Sequence, residues 1–408
     1  MSLHIEVKKV PFFPAPRKDQ AIWTLNPCYC STKSNKMLIS RVRIDNHGYG
    51  IKDWMEVIDR LQRLISYDNG AHWKEQGQEE QSGPYTTGRL RTSWNNFLDP
   101  ETGYAISIFG KSVFSKEADA RITKLYCEIS KDEGETWSAP RQIIHPGKEY
   151  DAEHWMPGVT TGRQEINADQ APFAKLEDGT IVCGFTFCDP RSFIKEVRFA
   201  EGVVFLRARW NKDKSDLVWD IGDVITVPES VGNGVCEPDL VHLGGQRLFT
   251  TMRCEGNKKK GIFSSRQCAL SEDGGKTWGS PRPLKYDDGT PVFVPASISA
   301  FEREPRTGKV YWFANILDKP VYGQIPRYTF SLAELDTKAL CLKKPSVTVI
   351  RDFENNYDED VATRYSNFGH YVDRATGEFV LTPEEEFHII RNYQTEDYCC
   401  FRVRVVSE

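Results

Sequence analysis

Ser271-Glu-Asp-Gly-Gly-Lys-Thr-Trp278 returns as Ser130-Lys-Asp-Glu-Gly-Glu-Thr-Trp137, and more loosely as Ser66-Tyr-Asp-Asn-Gly-Ala-His-Trp73, with His72 in place of threonine. Each octet has the make-up of a tight hairpin turn. The aspartate accepts hydrogen bonds from turn N–H groups, glycine takes the φ > 0 position, and tryptophan seals the turn against the neighbouring strand. One copy marks any hairpin. Three copies with matched Ser, Asp, Gly and Trp mark a repeated β unit.

A second signal has the same period: a turn followed by a short β-rich run. It starts at Asn35, Gly103, Gly179, Gly245, Gly308 and Gly377, at spacings of 68, 76, 66, 63 and 69 residues. The octets follow it at a fixed phase of 26 to 31 residues in the first, second and fourth units. Trp210–Trp219 in the third unit and Glu334-Leu-Asp-Thr-Lys in the fifth read as degenerate octets. The sixth unit ends on the strand Cys399–Val406, and its missing outer strand can come from His4–Val10. Six four-stranded units closed in this way predict an all-β chain, a six-bladed β-propeller with 1–408 as one domain. Asp53–Leu64 is the one helix-like stretch, and its phase in the repeat predicts an extended strand or a short insert.

Composition narrows the function. The 408 residues carry a formal net charge of −5 and are 39% hydrophobic, enough for a core and without the basic footprint of a nucleic-acid partner. No apolar run is long enough to span a bilayer. The N-terminal Met1-Ser-Leu-His-Ile-Glu-Val-Lys-Lys lacks a signal-type apolar stretch, so the expected location is cytoplasmic. Eleven cysteines are an odd number in no metal or redox spacing, and buried reduced thiols are expected. No His/Cys/Asp set has metal-ligand spacing, so neither a metal nor another cofactor is expected.

Propellers bind ligands at one mouth of the central channel, on loops flanking the inner strands. The polar residues at that phase are Arg41, Arg43, Asp45 and His47; Arg91, Asn95 and Asn96; and Glu165, Asn167, Asp169 and Gln170. The last three units add Glu237 and Arg253; Asn315 and Arg327; and Tyr365, Asn367 and His370. Arginines, carboxylates and amides together suit a polar, anionic sugar, which makes a glycan the expected partner.

Three such octets on a six-fold repeat resemble the sialidase superfamily. Val235-Cys-Glu-Pro-Asp-Leu-Val-His, running on to Arg253, is similar to that family's segment bearing the activating glutamate and a carboxylate-binding arginine. The resemblance implies those roles for Glu237 and Arg253, and a second such arginine at Arg327. Arg364-Tyr-Ser-Asn367 resembles the segment with the tyrosine nucleophile, implying Tyr365, and Asp45 best matches the acid/base aspartate. The implied chemistry is coherent. A phenol is neutral near pH 7 and needs Glu237 to take its proton, while Asp45 protonates the leaving oxygen and then activates water. Arg253, Arg327, Arg43, Arg91, Gln170, Asn95 and His47 complete the expected substrate-binding set.

One departure bears on substrate. Where the family carries Arg-Ile-Pro, this chain has Leu25-Asn26-Pro27, so one arginine of the triad is missing and Arg41, Arg43 or Arg91 would have to stand in. Tyr365 as a core tyrosine and Arg253 as a structural partner of Glu237 are the bland alternatives. Three functions therefore stay open on the residues: a sialidase-type glycosidase, a polysaccharide lyase or non-sialic glycosidase on the same ring, and a non-catalytic carbohydrate-binding propeller.

Overall fold

In a computed structural model the chain forms six antiparallel sheets arranged as a propeller. Described are residues 3–14, 20–45, 58–82, 89–91, 95–115, 120–168, 171–189, 200–352, 365–385 and 397–406. Blade 1 runs through Gln20–Tyr29, Met37–Asp45, Ile58–Ser66 and Lys74–Ser82. Blade 2 starts with Arg89–Arg91 and Asn95–Leu98 and continues through Ala105–Ser115, Ala120–Ser130 and Arg141–Gln142. Blade 3 holds Glu165–Asn167, Phe173–Lys175, Ile181–Cys188, Ala200–Trp210 and Leu217–Ile221. Blade 4 holds Val235–Gly244, Arg247–Cys254, Ser265–Ser271 and Arg282–Pro283. Blade 5 holds Ala300–Arg303, Val310–Ala314, Phe330–Asp336, Cys341–Leu342 and Thr348–Arg351.

Blade 6 closes the ring as expected. Tyr365–Val372, Phe379–Glu385 and Tyr398–Val406 come from the end of the chain, and His4–Phe13 pairs antiparallel with the last of them, from His4↔Val406 to Pro11↔Cys399. The helix-like stretch is strand from Ile58 onward, and residues 53–57 lie outside the described set. Among the described residues no helix is long and apolar enough to cross a membrane. All eleven cysteines are free thiols, eight of them buried.

The core lies between the blades. Ile181–Cys188 is buried at every position because both faces of its sheet are covered. Ile106, Leu125, Phe185 and Leu206 join blades 2 and 3, while Phe205, Val235 and Met252 join blades 3 and 4. Phe249 and Trp312 join blades 4 and 5; Phe313, Phe379 and Phe401 join blades 5 and 6. Met37 with Val380, and Leu38 with Ala105, seal blade 1 on its two sides.

The octets explain how these layers keep their register. In blade 4, Asp273 Oδ1 accepts from the Ser271 hydroxyl (2.9 Å) and from the N–H groups of Lys276 (3.1 Å) and Thr277 (2.9 Å), and Oδ2 accepts from Thr277 Oγ1 (2.7 Å). Ser271 Oγ accepts from Gly275 N (2.8 Å), which bends the chain through two left-handed residues, Gly274 and Gly275. Asp132 makes the same set with Ser130 and Thr136. In blade 1 the His72 ring takes the threonine's place, with Nδ1 2.6 Å from Asp68 Oδ2.

Each turn then reaches onto the preceding blade. Gly274 O accepts from Arg207 Nε (2.9 Å), and a Cβ on Gly222 would lie 2.0 Å from Gly275 O, so blade 3 tolerates only glycine there. Glu133 accepts from Ser31 Oγ (2.7 Å), and Asn69 Nδ2 donates to Asp373 (2.9 Å). The degenerate turns behave alike. Trp210 Nε1 donates to the buried Asp99 (2.6 Å), and Leu340 O accepts from Arg282 (2.9 Å).

Replacing Asp273 by alanine removes four acceptor contacts, so Asp273→Ala is expected to lower unfolding free energy in urea by about 2 kcal/mol. Glu272→Ala, on the exposed neighbour, is expected to change it by less than about 0.5 kcal/mol.

Candidate active site

Strand direction sorts the residues onto two ends of the ring. Third strands end at the octets, as Ser265–Ser271 does, so those turns sit at the end where first strands finish. The opposite end carries the starts of the first strands and the finishes of the second. There Cys236 pairs with Arg253, Arg253 with Arg266, and Asn167 with Thr186.

Glu237 occupies a β-bulge between Cys236 and Pro238, with φ at +44°. For a non-glycine residue that conformation is strained, and here it turns the carboxylate out of the ladder. Its N–H is held by Thr186 Oγ1 on blade 3 (2.9 Å). Both carboxylate oxygens accept from Arg253 Nη1, each at 2.7 Å. The two side chains are 20% and 11% exposed, so the pair is largely withdrawn from water while keeping an open edge. Burial pushes the Glu237 carboxyl up, but Arg253, then Arg327 and Arg266, outweigh it and hold it below the usual carboxylate range. Burial also works against the Arg253 charge, and Glu237 more than restores it. Arg253 Nε is buried with no hydrogen-bond partner.

Arg327, buried on blade 5, connects blades 5 and 6. It donates from Nη1 to Ser366 Oγ (2.9 Å), from Nη2 to Ala296 O (3.0 Å) and from Nε to Gln324 O (2.8 Å). Its carbonyl accepts from Tyr365 N (2.9 Å), and the Asn315 amide ties the carbonyls of Arg327, Thr329 and Tyr365 together. Tyr365 is 3% exposed, with its ring edge-on to Phe401 at 6.1 Å in the layer between blades 5 and 6. Asn367, two residues on, repeats the bulge and the left-handed conformation of Glu237, at φ +50°.

The other expected residues separate into three groups. Asn95 is wholly buried and bridges blades 2 and 3, donating to Ala168 O (3.1 Å) and accepting from Ala171 N (3.1 Å). Glu165 is likewise buried, its oxygens accepting from Thr123 N (2.7 Å) and Gly162 N (2.9 Å). Asp45, Arg43 and Arg91 lie on strands at this end by register, with side chains outside the described set. His47 and Gln170 lie outside the described residues altogether, as does Asp169. Arg41 pairs with Glu75.

Sequence reasoning missed Arg266, only 1% exposed beneath Arg253. It donates to Ser297 O and leaves Nε and Nη1 without partners; burial lowers it to about 10. Its signal was weak: one arginine in the short, mostly buried strand Ser265–Ser271, which also carries Gln267 and two serines. Deeper in the ring, His370 meets Glu302 (2.7 Å), and burial raises Asp239 to about 7. Among the described residues no cluster of three His, Cys, Asp or Glu is arranged to hold a metal.

A family model described as a BNR repeat-like domain matches residues 82–336, which include two of the three octets and the Glu237–Arg253 hairpin. The chain belongs to that BNR repeat-like family. Among curated proteins none matches by sequence. Among solved structures, a Dyadobacter fermentans protein of unknown function aligns at TM-score 0.61 and 13% identity over 98% of this chain and 99% of that one. The NanB sialidase of Streptococcus pneumoniae, as its K499G mutant, aligns at 0.60 and 9% over 96% and 70%. The α-L-arabinanase of Penicillium chrysogenum, complexed with arabinobiose, aligns at 0.54 and 13% over 97% of both chains. At these identities the likeness shows a shared glycosidase-like propeller fold.

On this BNR scaffold the buried pair sets a pH dependence. Because the folded carboxyl of Glu237 lies below its unfolded value near 4.3, its stabilisation is complete above that value and is lost as pH falls through the folded one. Glu237→Gln is expected to cost about 2–3 kcal/mol at pH 7, with the gap to wild type shrinking below about pH 4 in urea titrations. A gap that stays constant down to pH 2 would refute this account of the pair.

Proposed function

We propose that this chain is a glycoside hydrolase of the sialidase type, acting on a terminal sugar at the end of the ring that holds Glu237. The observation that carries the reading is the Glu237–Arg253 pair. A strained, largely buried carboxylate is held ionised by one arginine whose Nε edge has no partner, and the charges of Arg327 and Arg266 reach the same point. Ionised, Glu237 can accept the phenolic proton of Tyr365 as that oxygen attacks the anomeric carbon. The leaving oxygen takes its proton from Asp45, which then withdraws one from the water that releases the sugar. Arg253 meets the sugar's anionic or hydroxyl groups through the small part of its side chain left exposed, with Arg43, Arg91, Gln170 and His47 completing the contacts.

The position of Arg327 supports this division of roles. It binds Ser366, next to Tyr365, and its charge is felt at Glu237, so it couples the blades that carry the nucleophile and its base.

One observation favours a second substrate class. Arg327 spends donors on Ser366, Ala296 and Gln324, and Leu25-Asn26-Pro27 holds no arginine, so carboxylate recognition is thinner than three arginines would provide. A neutral glycoside, such as an arabinofuranoside, needs fewer such contacts, and the fold is shared with an arabinanase.

The deciding experiment is turnover by the purified protein on a fluorogenic α-sialoside beside an α-L-arabinofuranoside. Tyr365→Phe is expected to lower kcat by at least about 10³-fold, and Glu237→Gln by about 10²–10⁴-fold, on whichever glycoside is cleaved. Cleavage undiminished in Tyr365→Phe removes the tyrosine mechanism, and inertness of the wild type toward all glycosides removes the hydrolase.

A further inference from the structure

Two aromatic side chains at the active end are left in water side by side. Phe263 is 43% and Tyr322 36% exposed, and their rings stack with centroids 4.4 Å apart and planes 28° from parallel. The other large exposed hydrophobics among the described residues, Tyr67, Val113, Val218 and Val349, make no such pair. Phe263 lies in the loop after Arg247–Cys254 and Tyr322 in the loop after Val310–Ala314, so both leave second strands at the end that holds Arg253.

The loops are built rigidly. Asn257 and Ile262 close the first with a backbone bridge around the 3-10 turn Lys258–Lys260, and a Cβ on Gly256 would fall 2.3 Å from Ile262 O. Ser264, next to Phe263, donates from its N–H to Val321 O (2.8 Å) and from its hydroxyl to Gly323 O (2.8 Å), on either side of Tyr322. The second loop then passes to Gln324, whose backbone and side-chain oxygens accept from Arg327. The stacked pair is therefore continuous with the charged site through one bonded path. Leaving two rings exposed on loops fixed this firmly makes them a preorganised surface.

We propose that Phe263 and Tyr322 form a sugar-stacking platform that takes the C–H face of the neutral sugar unit on the leaving side of the cleaved bond. This rests on the glycosidase reading for its orientation, while the platform itself is defined by the two rings. Two rings match one or two sugar units and fall far short of the roughly 800 Å² per partner of a stable protein interface. The rings offer flat apolar area for the sugar's C–H face, and Lys258 and Lys259 lie in the same loop as Phe263. The platform thereby selects glycans of two or more units over simple glycosides.

The test needs no turnover. Saturation-transfer NMR of the full chain with lactose, cellobiose and arabinobiose is expected to show millimolar binding of at least one, with the strongest transfer to ring C–H protons. The paired Phe263→Ala, Tyr322→Ala variant is expected to bind about tenfold more weakly, while Phe263→Trp and Tyr322→Phe retain binding. Both sites are exposed, so thermal unfolding serves as the control for folding. Absence of binding to all three sugars in wild type, or unchanged binding in the double variant, overturns the platform. So does a loss of self-association in that variant without a change in sugar binding. A protein that hydrolyses nothing yet binds disaccharides through these rings loses the hydrolase reading and keeps the platform.

Discussion

The architecture depends on one repeated contact: the outer hairpin of each of blades 1 to 5 hydrogen-bonded onto the blade before it. A blade is a sheet with two apolar faces, and neither is satisfied without a neighbour. Apolar packing alone lets sheets slide, because it has no direction. Directional bonds from Gly274 to Arg207, Trp210 to Asp99 and Asn69 to Asp373 fix the stagger between sheets. Asp99 shows the cost and its compensation. Burial opposes its charge, yet Lys175, Trp210 and Thr102 hold its carboxyl below the usual range. Arg63 does similar work between blades 1 and 2, lying over Trp137 at 3.8 Å while paired to Glu128 at 2.5 Å.

This division places the register contacts at one end of the ring and the strained, charged cluster around Glu237 at the other. With register fixed by the octets, the loops at the opposite end are released from holding the sheets together. Strain can then be tolerated there, and the left-handed Glu237 and Asn367 occur at matching bulges in blades 4 and 6. In both, the bulge re-aims a polar side chain that an unbroken ladder would point into an interblade layer.

What was legible in the sequence follows from how local each interaction is. The octets could be read because an aspartate closes its own turn within five residues, and six-fold closure followed from their spacing. Glu237 and Arg253 were legible because a hairpin places them on facing strands. Asn95 and Glu165 were not legible in the same way. Their phase matched the mouth, but their partners are backbone groups on other strands and in adjoining loops, which no single segment reveals. Arg266 escaped because only the packed fold shows that its strand faces Ser297 and the site. The degenerate third octet kept its contact by substituting Trp210 for the missing motif, so the interface outlasted the sequence pattern.

Positive charge dominates the cluster around Glu237. The charges of Arg253, Arg266 and Arg327 all bear on Glu237, and Arg253 contacts it directly. An excess of fixed positive charge in partly dry surroundings favours a ligand or transition state that brings negative charge. It also explains why arginine serves here and lysine would not. Arg327 must satisfy Ser366, Ala296 and Gln324 at once while keeping its charge, which a planar five-donor group can do and a single ammonium cannot. The guanidinium is thus both a structural pin and a source of field, and the same atoms that bind blade 5 to blade 6 add to the Arg253 pairing that keeps Glu237 ionised.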